Sequence, residues 1–172
     1  MNLNDQGTHN NPRYTVIPLT LCFLTHADDV LLLMGAPNKR LWAGRLNGVG
    51  GHIEADEDPL SGARREVLEE TGLQVDTLSL RAVVHVGGSQ AVPGDLLFVY
   101  VAAVPTRDVR PGAEGTLAWY PLADVLSENN PLRDVLVGNL PYLLPRILGP
   151  GWSGELVYAH DSGPSSGVQA KG

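Results

Sequence analysis

The stretch "GGHIEADEDPLSGARREVLEETGL", residues 50–73, holds seven acidic side chains in 24 positions, three of them at Glu66, Glu69 and Glu70. Carboxylates packed this closely either stay in water or take a cation. The spacing predicts a helix of about 13 residues: Asp58 can cap its start, Pro59 suits the first helical position, and Gly72 suits a left-handed C-terminal cap. At 100° per residue Leu60, Ala63 and Val67 share an apolar arc, with Glu66, Glu69 and Glu70 on the neighbouring arc. Glycine at Gly62 costs the helix about 1 kcal/mol relative to alanine, so close backbone packing is expected there.

Outward from this helix the chain reads as strands and loops. Tyr14–Thr25 and Val30–Met34 are β-rich runs joined by the polar residues 26–29, a hairpin. "APNKRLWAGRLNGVGGHIE", residues 36–54, is rich in Gly, Pro and Asn, and reads as a loop ending in a short strand. After the helix, "LQVDTLSLRAVVHV" (73–86) alternates, "DLLFVYVAAV" (95–104) is nearly continuous apolar strand, and "TLAWYPL" (116–122) is another short one. "PLADVL" (121–126) reads as a short helix, "LRDVLVGNLPYLLPRIL" (132–148) as a Pro-interrupted helix, and "GELVYAH" (154–160) as a final strand. Strands on both sides of a central helix, without regular alternation, predict an α+β sandwich in which helices cover a mixed sheet.

At 172 residues and 43% hydrophobic composition, the chain predicts one domain over residues 14–160, flanked by disordered polar tails at 1–13 and 161–172. A net charge of -7 disfavours a nucleic-acid polymer or an anionic membrane as partner. An anionic substrate then needs a metal bridge. No run approaches the roughly 18 apolar residues of a membrane span, and no secretory leader is visible. The lone Cys22 reads as a buried, inert thiol, and a cytoplasmic location is expected. The strand at 95–104 is either core or a dimer edge, so monomer and homodimer both stay open.

Positions i, i+3 and i+4 are neighbours on a helix, which brings Glu69 and Glu70 within about 5–6 Å of Glu66 at their Cβ atoms. Such a cluster is either a solvated face relieved by Arg64 and Arg65, or a site for a hard cation that prefers oxygen ligands and bridges to phosphates. The fixed positions decide between them. Gly51, Glu57, Arg65, Glu66, Val67, Glu69, Glu70, Gly72 and Leu73 fall where the 23-residue Nudix box requires them, and the chain resembles the Nudix hydrolases.

The resemblance implies an α/β/α sandwich with a catalytic loop-helix-loop, and Mg²⁺- or Mn²⁺-dependent hydrolysis of a nucleoside diphosphate linked to another group. In the family's terms Glu66, Glu69, Glu70 and the Gly50 carbonyl hold metal, and Glu57 pairs with Arg65 to orient the helix. The general base is Glu66, Glu69 or Glu114. Glu114 stands five residues before Trp119, as in family members that bring an acidic residue to the metals; taken alone it is an ordinary loop carboxylate.

"LWAGRLNGVGGHIE", residues 41–54, also resembles the MutT-type enzymes that sanitise oxidised purine nucleotides. That likeness implies substrates such as 8-oxo-dGTP, base reading by Asn47 and a base-pocket role for Thr20; beside it, Trp42 can stack on a base, and Lys39, Arg40 and Arg45 are either phosphate contacts from the loop or plain solubility charges. Asn47 is equally an Asn-Gly turn residue, and Trp42 and Thr20 have plain structural alternatives. Leu46 and His52 depart from the tryptophan and lysine of that subgroup. Three other readings stay in view: an ADP-ribose or other NDP-X pyrophosphatase, a non-catalytic nucleotide-sensing module, and the isopentenyl diphosphate isomerase branch, which Cys22 serves poorly from the first hairpin.

Overall fold

The computed structural model describes residues 14–38, 42–89, 91–110, 113–161 and 168–171. A hairpin of β1 (Val16–His26) and β2 (Asp29–Gly35) leads through the short β3 (Leu46–Asn47) into α1 (Pro59–Thr71). Then follow β4 (Ser79–Val86), β5 (Gly94–Ala103), β6 (Gly115–Pro121), α2 (Leu122–Leu126), α3 (Leu140–Leu148), β7 (Val157–Asp161) and β8 (Val168–Lys171). The strands form one sheet in the order β3-β2-β1-β5-β4-β7-β8, with β6 also on β2. The β1–β5 and β4–β7 pairs are parallel and the other strand pairs antiparallel, the mixed sheet expected.

Alternation along β1 builds a core on each face of that sheet. Leu21 and Phe23 pack with Leu140, Leu143, Leu144 and Ile147 of α3, while Cys22 and Leu24 pack with Ala63 and Val67 of α1. Successive side chains of a strand point to opposite faces, so one apolar run serves both layers. Continuous hydrophobicity is what a doubly covered strand requires. The α1 side, sheet, and α2/α3 side are the three layers of the sandwich.

The first hairpin positions the functional loop. Its strands pair only from Leu24 to His26 against Asp29 to Leu31, and beyond that they splay. Residues 46–53 fill the gap: Leu46 and Asn47 pair with Met34 and Leu33, the Cys22 and Val49 backbones exchange bonds of 2.7 and 3.1 Å, and the Thr20 and Ile53 amides donate to the Gly51 and Pro18 carbonyls at 2.8 and 3.1 Å. A glycine-rich segment is thus held as firmly as a strand, because these buried backbone groups find partners.

Helix α1 runs from an Asp58 cap, whose side chain accepts from the Leu60 and Ser61 amides, to Gly72 at φ 72°. Both ends lie where the sequence puts them. Gly62 is tight, but against the Glu57 carboxylate, which a Cβ there would approach to 2.9 Å; the neighbour is a side chain and not backbone.

Elsewhere the structure corrects the sequence reading. Of residues 73–86 only Ser79–Val86 form strand; Leu73, Val75 and Leu78 pack on the α1-side core from a loop. The helix expected over 132–148 begins at Leu140, with Pro141 in its first turn. The segment before it is held instead by turns and by Leu46, which donates to the Val135 carbonyl and accepts from the Val137 amide. Strand β5 is no dimer edge, since β1 and β4 flank it. Residues 168–171, within the stretch read as a tail, form β8 on the outer edge of β7. The N-terminal tail at 1–13 lies outside the described residues. Among those described, no helix is long and apolar enough to cross a membrane.

Candidate active site

The site is built where the loop of residues 46–53 meets the carboxylates Glu66, Glu69 and Glu70 in the C-terminal half of α1. Gly50 enters with φ 149°, and a Cβ there would run into the Thr20 carbonyl oxygen of β1. Only glycine passes this close in that conformation. The loop amide so placed, Gly50 N–H, donates to Glu70 Oε2 at 2.8 Å, and Glu70 is only 5% exposed. A Cβ on Gly51 would meet the Glu66 carboxylate, so Glu66 lies flat on that residue. Glu66 and Glu70, one helical turn apart, therefore converge on the Gly50–Gly51 backbone.

Arg65 holds the other side of the cluster. Its Nη2 donates to Glu57 Oε1 at 2.6 Å and to the His52 carbonyl at 2.9 Å, its Nε to Glu57 Oε2 at 3.2 Å, and its Nη1 to Glu66 Oε1 at 2.8 Å and Glu69 Oε2 at 3.2 Å. The planar fork of a guanidinium makes this possible, with two parallel bonds to one carboxylate and free N–H groups for others. Glu57 closes the loop on itself by accepting the Glu54 amide at 2.9 Å. The His52 carbonyl and Glu54 amide are main-chain groups with no mark in the sequence, and sequence reasoning missed them.

Because a lysine cannot reproduce the fork, Arg65→Lys is expected to lower turnover about 10- to 100-fold, as loss of an orienting partner behind a ligand usually does. A substrate KM that moves less than kcat, measured in steady state, checks that the residue positions the carboxylates and does not bind substrate.

Arg65, and then the Glu54 amide, hold the Glu57 carboxyl below its ordinary pKa, and bonds from the Ser61 hydroxyl and amide do the same for Asp58. Arg65 is correspondingly pushed further up by Glu57 and then Glu66. Carboxyls with folded pKa values below the unfolded ones, about 4, contribute stability that is present above those values. It is lost as pH falls through the folded ones. The melting temperature is thus expected to hold from pH 7 down to about 5 and to fall below about 4, with a smaller acid loss in Glu57→Gln, as thermal melts across pH would read.

The other residues singled out in the sequence are dispersed. Thr20 is 3% exposed, its hydroxyl 3.5 Å from both the Gly51 amide and carbonyl, so that it supports the loop from below. Asn47 is half-buried on β3, and its Oδ1 accepts the Gly48 amide at 2.9 Å, the turn alternative. Trp42 stands 50% exposed at φ 65° in the turn before β3. Arg45 turns away from the carboxylates, donating to the Asp134 carbonyl at 2.7 Å, because the loop before α3 offers carbonyls on its side of β3. Glu114 is exposed at the head of β6, its carbonyl accepting the Ala36 amide at 3.1 Å. Lys39 and Arg40 lie outside the described residues. Cys22 is fully buried beneath α1; burial, then the nearby Glu70 and Glu66, push its thiol far up, which removes it from proton transfer at neutral pH.

The donors fit a hard divalent cation in kind: three carboxylates on one helix face beside a glycine loop. As folded, Arg65 supplies the positive charge between Glu66 and Glu69, and among the described residues no three His, Cys, Asp or Glu side chains converge tightly enough to cage an ion. Glu70, Glu66 and the Gly50–Gly51 backbone are nevertheless gathered on one side, the part of such a site that the fold prepares.

Comparison with known proteins matches the same region. The family model described as NUDIX domain covers residues 17–138. The oxidized purine nucleoside triphosphate hydrolase of Mus musculus is 49% identical over 47 residues, 27% of this chain and 30% of that protein, so the match spans less than a third of that relative's length. Among solved structures, the MutT protein of Bacillus halodurans superposes with a TM-score of 0.72 at 22% identity, over 91% of this chain and 98% of that one. The NUDIX domain of Shewanella oneidensis NrtR, solved with ADP ribose, gives 0.62 at 19% identity over 84% and 95%.

Proposed function

Since the chain belongs to the Nudix family, we propose that it is a Mg²⁺- or Mn²⁺-dependent pyrophosphohydrolase of nucleoside diphosphate-X compounds. Its favoured substrates in this reading are oxidised purine nucleoside triphosphates such as 8-oxo-dGTP, cleaved to the monophosphate and pyrophosphate. The observation that carries the chemistry is the convergence of Glu66 and Glu70 on the Gly50–Gly51 backbone, with Arg65 bridging Glu57, Glu66 and Glu69.

Glu66, Glu69, Glu70 and the Gly50 carbonyl are the residues that would hold the ion. When bound, it supplies neutralisation of the phosphate oxygens and polarisation of the phosphorus under attack. Glu57 and Arg65 keep the ligands oriented. A carboxylate, Glu66, Glu69 or Glu114, takes the proton of the attacking water, and no covalent enzyme intermediate is required. Asn47, whose amide offers donor and acceptor together, and the exposed Trp42 are the groups for the base. Lys39 and Arg40 are the loop's basic residues left for the phosphates, Arg45 being engaged elsewhere and Thr20 being buried in support of the loop.

The local identity to the mouse enzyme supports the purine triphosphate, and it falls short of that protein's whole length. The ADP ribose seen in the NrtR domain supports a second reading, an ADP-ribose pyrophosphatase or a ligand-sensing module. A panel of 8-oxo-dGTP, the four dNTPs, ADP-ribose and diadenosine polyphosphates separates them by kcat/KM. The first reading expects 8-oxo-dGTP to lead dGTP by at least about 10-fold, the worth of one or two extra polar contacts, and Asn47→Ala to erase most of that lead. Preference for ADP-ribose would overturn the substrate assignment.

A further inference from the structure

Away from the carboxylates, β4 and β7 present a second cluster. His85 and His160 are directly opposed in the parallel β4–β7 register. Their imidazole planes lie within 24° of each other with centroids 4.8 Å apart, and their Nδ1 atoms lie 2.8 Å apart, edge to edge. The far nitrogen of His85, Nε2, lies 2.6 Å from Tyr14 Oη. Room for that phenol comes from Gly94, where a Cβ would collide with it. His160 is exposed and His85 half-buried, so one side of the pair is open to solvent.

Two facing Nδ1 atoms in hydrogen-bond contact share one proton, with one ring giving the N–H and the other the lone pair. A cation in place of that proton takes both lone pairs. We infer that His85 and His160 form a two-imidazole site for a borderline transition-metal ion such as Cu²⁺, Ni²⁺ or Zn²⁺, backed by Tyr14 and clamping β7 to β4. At metal–nitrogen distances of about 2.0–2.1 Å, two nitrogens on a tetrahedral or square-planar ion stand roughly 2.9–3.4 Å apart. The observed 2.8 Å needs an opening of about half an ångström or less to reach that range. On binding, the ring that carried the shared proton tautomerises, its proton passing through solvent from Nδ1 to Nε2, so that each ring stays neutral with one N–H. Tyr14 Oη then accepts from His85 Nε2–H, which fixes the tautomer with its lone pair on Nδ1, the usual office of the partner behind a histidine ligand. Water completes the coordination.

Imidazole nitrogens favour these ions strongly over Mg²⁺, whereas carboxylate oxygens such as those of α1 also suit Mg²⁺, so Mg²⁺ in excess competes at the carboxylates and not at the histidine pair. The site ties down a short strand, and an ion that binds only the folded chain stabilises it.

The experiment is Cu²⁺ titration of the full chain with Mg²⁺ in excess, followed by electron paramagnetic resonance, beside His85→Gln, His160→Gln and the double variant. The expected result is one equivalent of Cu²⁺ showing hyperfine coupling to two nitrogens, at least 10-fold weaker binding in each single variant, and no such species in the double. Tyr14→Phe should weaken binding about 10- to 100-fold. Zn²⁺ should raise the melting temperature of the wild-type chain and leave the double variant unmoved. The spectrum of the wild-type chain alone counts nitrogen ligands whether or not the variants fold. A wild-type spectrum with one nitrogen or none, or an unchanged two-nitrogen species in the double variant, overturns the assignment.

Discussion

Glu70→Gln is expected to lower turnover about a thousandfold, the several kcal/mol that a correctly held cation contributes to phosphoryl chemistry, and to leave the fold in place. The amide oxygen of glutamine can still accept the Gly50 amide, which the wild-type carboxylate does at 2.8 Å. The loop stays anchored while the charge that attracts a cation is gone. Parallel circular dichroism melts and steady-state assays read the two effects separately. A variant that melts like wild type and retains more than a tenth of its kcat would remove Glu70 from the proposed metal set.

The largest expected effect on stability comes from Gly50→Ala. The new Cβ would enter the Thr20 carbonyl oxygen and come within 3.1 Å of the Leu21 Cα, in a backbone already at φ 149°. Neither neighbour is a mobile side-chain end, so relief requires moving β1 or the loop. Strain and overpacking together predict about 2–4 kcal/mol of lost stability. Gly51→Ala is the informative contrast. Its Cβ would meet the Glu66 carboxylate, a side chain that can swing aside, so that variant should keep most of its stability and lose activity. Chemical denaturation of both variants, with assays at matched folded fraction, checks the order.

How much of this was written in the sequence depends on whether one element or several decide a feature. Helix α1 was legible to its ends because its determinants are local: Asp58 caps with its own side chain, Pro59 needs no amide partner, and Gly72 takes the left-handed turn. The strands were legible where the apolar run is long, as in β1 and β5, while the alternating stretch 73–86 is strand only from Ser79. Residues 132–139 were not, since their apolar spacing suits a helix while their backbone partners lie across the molecule on Leu46. Strand β8 was hidden for a similar reason: a short strand in a Gly- and Ser-rich tail is specified by the open edge of β7 more than by its own composition.

Within the site, residue types were legible and pairings less so. The i, i+3 and i+4 spacing put Glu66, Glu69 and Glu70 on one face, and the Glu57–Arg65 pair came from family resemblance. Arg45 shows the limit. A basic residue beside an acidic helix suggests phosphate binding, yet its guanidinium reaches the Asp134 carbonyl, 89 positions away in sequence, which only the folded chain brings near. Thr20, which had both a base-pocket and a structural reading, is 3% exposed beneath Gly51, in keeping with the structural one.

The most direct measurement is hydrolysis of 8-oxo-dGTP, dGTP and ADP-ribose by the full chain, with Mg²⁺ added and then withdrawn by a chelator, followed as released pyrophosphate and as nucleoside monophosphate. The account predicts turnover that appears with Mg²⁺, stops on chelation and returns when the ion is restored, with pyrophosphate as the product from the triphosphates. Nucleotide binding without turnover under every divalent cation tried would contradict it and leave the α1 carboxylates as a ligand cradle.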